Sequence, residues 1–411
     1  MPPNILWIVT TQWRAQACGY SGDSNARTPC IDALAARSVN VAQAVTPHPF
    51  GPFARAAMLT GVASPTNGIR DYYDPLPPGT WTVAHAMREL SYSTAFFGKW
   101  HLYRRDSQAR LTGEDHARIV VPPEYRGGFD FWEGFESGFL LNNPWLHGSR
   151  LALPVRFDGY QSDVVCERAS GALRSLGAPW FAVVSLEAPH PPYSAPAAGI
   201  IARDPAAISL RGNVPAAGWA VERARVELGG YYAHIEATDR AIGGLLSSLP
   251  SDTRVVLTSA HGDMHGSHGL FRKGWPHEES IRVPLLVRAP GPARRDDGPF
   301  SLIELPRMTT ALARGSDPLP ARREGSAGEG GSRISMPSVV RLPDQCDRAW
   351  MGVRTAARKL VADGAGAPWL FHDLEADPLE MRNLAGDPSR AREIGGLLRL
   401  ARGRAGADLT R

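Results

Sequence analysis

Apolar residues along the first two-thirds of the chain fall into two alternating patterns. Residues 4–10, 93–98, 180–186, 254–259 and 283–288 are short runs with apolar side chains at successive positions. Such runs suit strands covered on both faces, as in a buried parallel sheet. Between them lie stretches in which apolar positions recur every three to four residues. These predict helices over 28–37, 53–60, 82–90, 162–176 and 221–249. Thr28 is expected to cap the first, with Pro29 at its first position. The last is long, and Gly229-Gly230 is expected to break it. This alternation predicts an α/β fold: a mostly parallel central sheet flanked by helices.

The pattern changes after Pro290. "PGPARRDDGP" and "REGSAGEGGSR" are Gly-, Arg- and acid-rich, and the second reads as a surface loop. A helical period survives between them in "SLIELPRMTTALARG". Beyond Met336, "RAWMGVRTAARKLVADG" and "PWLFHDLEADP" predict short antiparallel strands, followed by a helix near 391–402. The expected organisation is an α/β domain over 1–315, a linking loop over 316–338 and a small C-terminal α+β domain over 339–411.

Composition adds limits. With 411 residues, 43% of them hydrophobic, and a net charge of +4, the chain reads as an ordinary globular protein. Its basic residues form no dense block, which argues against nucleic acid as a partner. The run at 5–9 is too short for a signal sequence or a membrane span. Cys18, Cys30, Cys166 and Cys346 are far apart and lack metal-site spacing, so reduced cysteines and a cytoplasmic location are expected. Among 45 Lys and Arg residues, lysine occurs only at 99, 273 and 359. In so arginine-rich a chain these positions suggest a need for a compact point charge.

Ligands of open α/β sheets bind beyond the carboxyl ends of the strands. Thr10, Thr11 and Gln12 follow the first predicted strand, and Lys99 and His101 the second. Glu187 and His190 follow the third. His261, Asp263, His265, His268 and then Lys273 follow the fourth. This set is rich in cations and imidazoles, and it predicts a site for a small oxyanion. "HPFGPFARAAMLTG", residues 48–61, predicts a loop entering a helix near Phe53. The helix start would present free N–H groups near Gly51, Phe53 and Ala54. Yet Thr46 is the only hydroxyl between Ala44 and Met58. Aromatic residues in loops, Tyr72, Tyr73, Trp145 and Trp275, are candidates to line the site.

These motifs resemble those of the sulfatases of the alkaline-phosphatase superfamily, in family order over nearly the whole chain. They are "PNILWIVTTQWR", "TPCIDALAARSVNVAQAV", "RAAMLTG", "GKWHL", "GGFDFWEGF", "APHPPY", "HGDMHGSHGLFRKG", "IRVPLLVRAPG" and "FHDLEADPLEMRNLAGDP". The resemblance implies a large α/β domain and a smaller domain with an antiparallel sheet. It implies that Arg55, Lys99, His101, His190 and Lys273 match the sulfate-binding and proton-handling shell. His261 falls in an Asn/His slot of the metal set, and Lys359 on a structural "KL" motif.

Typical members use a formylglycine made from Cys or Ser, and a calcium ion held largely by aspartates. By the same resemblance the nucleophile position here is Gly51, followed by Phe53 and Ala54 in the maturation motif. Thr11, Gln12 and Ala260 stand at the aspartate positions. The expected cofactor set is therefore empty, with zinc on His261, His265 and His268 as a minor alternative. Losing a divalent ion together with three carboxylates leaves the site no less cationic.

The expected function is action on a sulfated, sulfonated or phosphorylated small molecule without formylglycine or metal, by elimination, isomerisation or group transfer with histidine acid and base. His101 and His190 would be the acid and base, and Lys99 and Lys273 their catalytic companions. Arg55, Gly51, His261, Thr11, Gln12 and His48 would contact substrate, with Thr11 or His48 as lesser candidates for a substitute nucleophile. The alternatives are an inactive anion-binding relative and, least favoured, an ordinary arylsulfatase.

Overall fold

The computed structural model describes residues 2–319 and 331–403. Its large sheet has ten strands. In chain order they are β1 (Ile5–Thr10), β2 (Val39–Val45), β3 (Ser93–Lys99), β4 (Phe131–Phe135), β5 (Trp145–Gly148), β6 (Leu151–Arg156), β7 (Trp180–Ser185), β8 (Arg254–Ser259), β9 (Leu285–Arg288) and β10 (Arg294–Ser301). They lie side by side as β10-β2-β9-β8-β1-β7-β3-β4-β5-β6. The central block from β8 to β4 is parallel. Strand β9 enters antiparallel to β8 and β2, and β5 and β6 run antiparallel at the far edge.

Strand β1 sits at the centre and is buried on both faces. Its pleat explains the unbroken apolar run, because alternate residues serve opposite cores. Ile5, Trp7 and Val9 pack with Phe53, Met58, Val83, Met87 and Leu305 from helices on one face. Leu6 and Ile8 pack with Ile31, Leu34, Val165, Ile235 and Ile242 from helices on the other. Trp7 also donates its indole N–H to Thr309 Oγ1 at 2.9 Å, so its polar atom is not stranded.

The predicted α/β pattern is observed, but five strands of the large sheet, β2, β4, β5, β6 and β10, were not among the five predicted, and four further local differences follow. The helix Trp219–Ser247 runs unbroken through Gly229-Gly230. A Cβ at Gly230 would lie 1.9 Å from the Tyr193 carbonyl oxygen, and one at Gly229 2.5 Å from that of Arg203. These glycines admit neighbouring backbone rather than ending the helix. Thr28 precedes the helix Pro29–Ala35 but does not cap it. Its hydroxyl instead accepts from Gly19 N–H and donates to Asp32. The helix expected to begin near Phe53 begins at Gly51 (Gly51–Thr60), and the Ala54 N–H is spent on the Phe50 carbonyl at 2.9 Å.

Finally, Ser332–Met336, inside the span expected to be a linking loop, forms a strand, β11. It pairs with β12 (Trp350–Arg354), and β13 (Arg358–Asp363) and β14 (Pro368–Asp373) complete an antiparallel sheet. The rest of the expected loop, 320–330, lies outside the described residues. The terminal helix, Ala391–Arg402, covers this sheet through Ile394, Leu397 and Ala401.

Candidate active site

The parallel strands end at one rim, and the residues that follow β1, β3, β7 and β8 converge there. Arg55 reaches the rim from the first turns of Gly51–Thr60. Its guanidinium donates to Thr11 Oγ1 at 2.8 Å, to Ser185 Oγ at 2.5 Å and to the Lys99 carbonyl at 3.4 Å. The Lys99 ammonium pairs with Glu187 Oε1 at 2.6 Å, and both side chains are buried. The Lys273 ammonium donates to Gln12 Oε1 at 2.5 Å and to His190 Nε2 at 3.1 Å. Gln12 in turn donates to the Asp263 carboxylate, which Tyr193 holds with its hydroxyl at 2.7 Å.

Two carboxylates therefore lie among the cations and imidazoles of the site. Glu187 and Asp263 each neutralise a cation or its carrier. Their signal was present, since both lie in the segments that follow apolar strands β7 and β8. What the sequence did not show was that each turns inward.

His101 stands between these cations. Its backbone lies in the left-handed region, φ 59°, as do those of Gln12 and Phe139. The turn is held by Glu136, whose carbonyl accepts from His101 N–H at 2.8 Å. The Glu136 carboxylate accepts from Leu102 and Tyr103 N–H and from Arg105. The imidazole is 3% exposed, yet neither ring nitrogen has a hydrogen-bond partner. It packs edge-on against Tyr72 and Phe139.

Gly51 lies directly beneath this ring. A Cβ there would sit 2.6 Å from His101 Nδ1 and 2.9 Å from Cε1. The space that a side chain on residue 51 would fill is thus taken by the imidazole.

The other site imidazoles are partly committed. His190 donates from Nδ1 to the Pro191 carbonyl at 2.7 Å and stacks on Phe139 at 4.3 Å. His261 donates from Nδ1 to Gly262 O at 2.9 Å, leaving Nε2 unpartnered. Burial, reinforced by the cations around them, pushes His101, His190 and His261 well below the usual histidine range, so all three are neutral at pH 7. Burial also lowers Lys273 to about 7, with Lys99 adding repulsion. Burial lowers Lys99 to about 8, against the pull of Glu187.

Not every expected residue joins the site. His48 is used structurally: Nδ1 meets Ser335 O at 3.0 Å and Nε2 accepts from Ser64 N–H at 2.9 Å. Thr11 Oγ1 donates to Leu186 O and accepts from Arg55, which removes it as a free nucleophile. His265 packs on Tyr231 and His268 on His277, so His261, His265 and His268 do not meet as a zinc site. Among the described residues, the one trio of ligand atoms within 4.8 Å of one another is His268, Glu279 and Glu380. Of the loop aromatics, Tyr72 meets His101 edge-on and Tyr73 packs edge-on against Tyr72, whereas Trp145 lies under Arg118. Trp275 donates its N–H to Phe271 O.

The C-terminal sheet grips the loop that carries Lys273. Lys273 N–H donates to Gln345 Oε1, and its carbonyl accepts from Cys346 N–H, each at 3.2 Å. Trp350 donates to Gly274 O at 2.8 Å. Behind them, Arg354 and Lys359 pair with buried Glu278 at 3.1 and 3.3 Å, and Lys359 also pairs with Glu380.

The sulfatase family model matches residues 3–315, three-quarters of the chain. The chain belongs to the sulfatase family. The ulvan-active sulfatase of Formosa agariphila is 32% identical over 422 residues, covering 94% of this sulfatase-family chain and 78% of that protein. Choline-sulfatase of Rhizobium meliloti is 27% identical over 438 residues, covering 94% and 83%. A solved sulfatase-like structure from Bacteroides fragilis superposes with a TM-score of 0.82 at 22% identity, covering 97% of this chain and 94% of that one. No helix among the described residues of this sulfatase-family chain is long and apolar enough to cross a membrane.

Proposed function

We propose that this sulfatase-family protein transfers the sulfuryl or phosphoryl group of a small anionic ester without formylglycine or calcium. The observation that carries the reading is His101. It is a buried, neutral imidazole with both nitrogens free, set among Lys99, Arg55 and Lys273 and against a glycine at the start of a helix. The cations and the helix start favour an oxyanion, and the imidazole is the Lewis base that would meet it. The Lys273–His190 pair is the natural proton donor, since the ammonium already points at a neutral ring nitrogen.

The donor set supports a metal-free route. Calcium takes about six to eight oxygen ligands, with carboxylates among them. Here Thr11 Oγ1 faces the Arg55 guanidinium, Gln12 Oε1 faces the Lys273 ammonium, and Ala260 offers no side-chain ligand. Two fixed cations already address the oxygens of Thr11 and Gln12, so the residues that stand at the aspartate positions do not fit the ion. No step is assigned to it.

A second reading, an inactive anion-binding relative, is favoured by one observation: Lys99 is already neutralised by Glu187. A panel of sulfate and phosphate monoesters assayed in EDTA, for wild type and His101→Ala, separates the two. Turnover lost in the variant supports the enzyme. Ligand binding with no product from wild type supports the inactive relative, and equal turnover by both proteins refutes the role of His101.

A further inference from the structure

The loop that carries Lys273 is bracketed by two side chains that meet outside the anion site. His268 precedes the lysine, and Glu279 follows it in the short helix Glu278–Ile281. Glu380, beyond β14, joins them, and the ligand atoms of the three lie within 4.8 Å of one another. Glu279 and Glu380 are 1% and 3% exposed, whereas His268 is partly open to solvent.

The surroundings hold more acceptors than donors. The Asn213 amide nitrogen faces His268 Nε2 at 3.1 Å, Glu279 Oε1 at 2.8 Å and the Leu379 carbonyl at 3.3 Å, yet an amide carries only two hydrogens. Glu279 Oε2 is buried with no donor among the described residues. His372 sits opposite Lys359 across β13 and β14, and its Nδ1 donates to the Arg382 carbonyl at 3.1 Å. That bond fixes the tautomer and leaves Nε2 as a buried lone pair, again without a donor. Buried acceptors in this state are costly, and one cation answers them together.

We infer that His268, Glu279 and Glu380 form a zinc site, with water as the fourth ligand on the open side of His268. Imidazole nitrogen and carboxylate oxygen are donors that zinc takes. Zinc bonds of about 2.1 Å in a tetrahedron place ligand atoms roughly 3.4 Å apart, so small side-chain rotations close the trio. Each carboxylate is already braced from outside. Arg211 donates to Glu279 Oε1 at 3.0 Å, Glu278 N–H donates to Glu380 Oε2 at 2.8 Å, and Lys359 meets Glu380 Oε1. Outer contacts of this kind orient ligands before the ion arrives. Arg211, Arg354 and Lys359 balance Glu278, Glu279 and Glu380. Bound zinc therefore gives the cluster the charge of an ion held by three neutral histidines.

The ion fastens the loop on both sides of Lys273 to the C-terminal segment that bears Glu380. It takes no ligand from the anion site, so the inference stands apart from the group-transfer reading.

The test strips the full chain with EDTA, exchanges it into buffer and titrates it with zinc chloride by calorimetry. A crystal soaked in zinc chloride is measured on both sides of the zinc absorption edge. The expected result is one equivalent bound, an anomalous peak between the three side chains, and a Tm higher by about 3 °C at about 100 times Kd. His268→Ala should weaken zinc binding by about 100-fold or more, and its zinc-free Tm checks the fold. Glu380→Gln is the second variant, and the wild-type crystal decides independently of both. No zinc bound, equal affinity in His268→Ala, an anomalous peak elsewhere, or a water without anomalous signal between these side chains overturns the inference.

Discussion

Replacing Gly51 by alanine tests the packing at the centre of the site without reference to any substrate. The new methyl carbon would lie 2.6 Å from His101 Nδ1, where ordinary contact begins near 3.4 Å. The ring must retreat by roughly 1 Å, but its backbone is held in the left-handed region and Tyr72 and Phe139 close its flanks. Overpacking of this kind costs about 1–3 kcal/mol. An unfolding entropy of about 2.1 cal/mol/K per residue over 411 residues gives roughly 0.9 kcal/mol/K, so Tm should fall by about 1–3 °C. In a His101→Ala background the obstacle is gone, and alanine is a better helix residue than glycine by up to about 1 kcal/mol. There the same substitution should be neutral or stabilising. Scanning calorimetry of the four proteins measures the cycle. An equal loss in both backgrounds would refute contact between residue 51 and the imidazole.

Glu187→Gln removes the charge that faces Lys99 in a buried pair, and should cost about 3–5 kcal/mol by urea unfolding. A loss within about 0.5 kcal/mol, typical of surface changes, would contradict its burial. Phosphate and sulfate affinity should fall as pH rises through about 7 to 8, because Lys273 and then Lys99 lose their protons there. A bound anion favours the ammonium forms, so saturating phosphate should move this loss to higher pH. Stability has the opposite sign: unfolded lysines stay protonated to about 10.4, so the unfolded chain binds more protons above pH 7 and these two groups make stability rise with pH. Titrations should show both trends, and affinity that rises with pH would refute the role of the ammonium groups. Millimolar calcium should leave Tm unchanged, whereas a calcium-dependent rise would show that the donor set accepts the ion after all.

Much of the fold was legible because the sheet is buried on both faces. Apolar residues at successive positions in 5–9 and 254–259 leave little room for any element but a covered strand. The site was legible in part, since residues placed just after such strands must meet at the rim. Direction was not. Glu187 reads as one polar residue after a strand, and only the fold shows its carboxylate beneath Lys99. The two glycines at 229–230 were misread because a helix break and a close backbone approach call for the same residue. Thr28 failed as a cap because Asp32 and Gly19 compete for its hydroxyl. Strand β11 was missed because Ser332–Met336, "SRISM", alternates only weakly and follows a glycine-rich stretch.

Among the described residues the rings packed on His101 are Tyr72 and Phe139, neither from the C-terminal sheet, yet that sheet and its β11–β12 connection hold the segment bearing Lys273. Gln345 and Cys346 hold the residue itself, Trp350 holds its neighbour, and Lys359 and Arg354 fasten Glu278 just beyond. During synthesis from the N-terminus, Lys273 is made about seventy to ninety residues before these anchors. The large sheet can fold first, but the backbone around the second lysine gains these contacts only after residues 345–359 have been made. A chain released before residue 345 would therefore hold the core while the segment around Lys273 lacked these anchors.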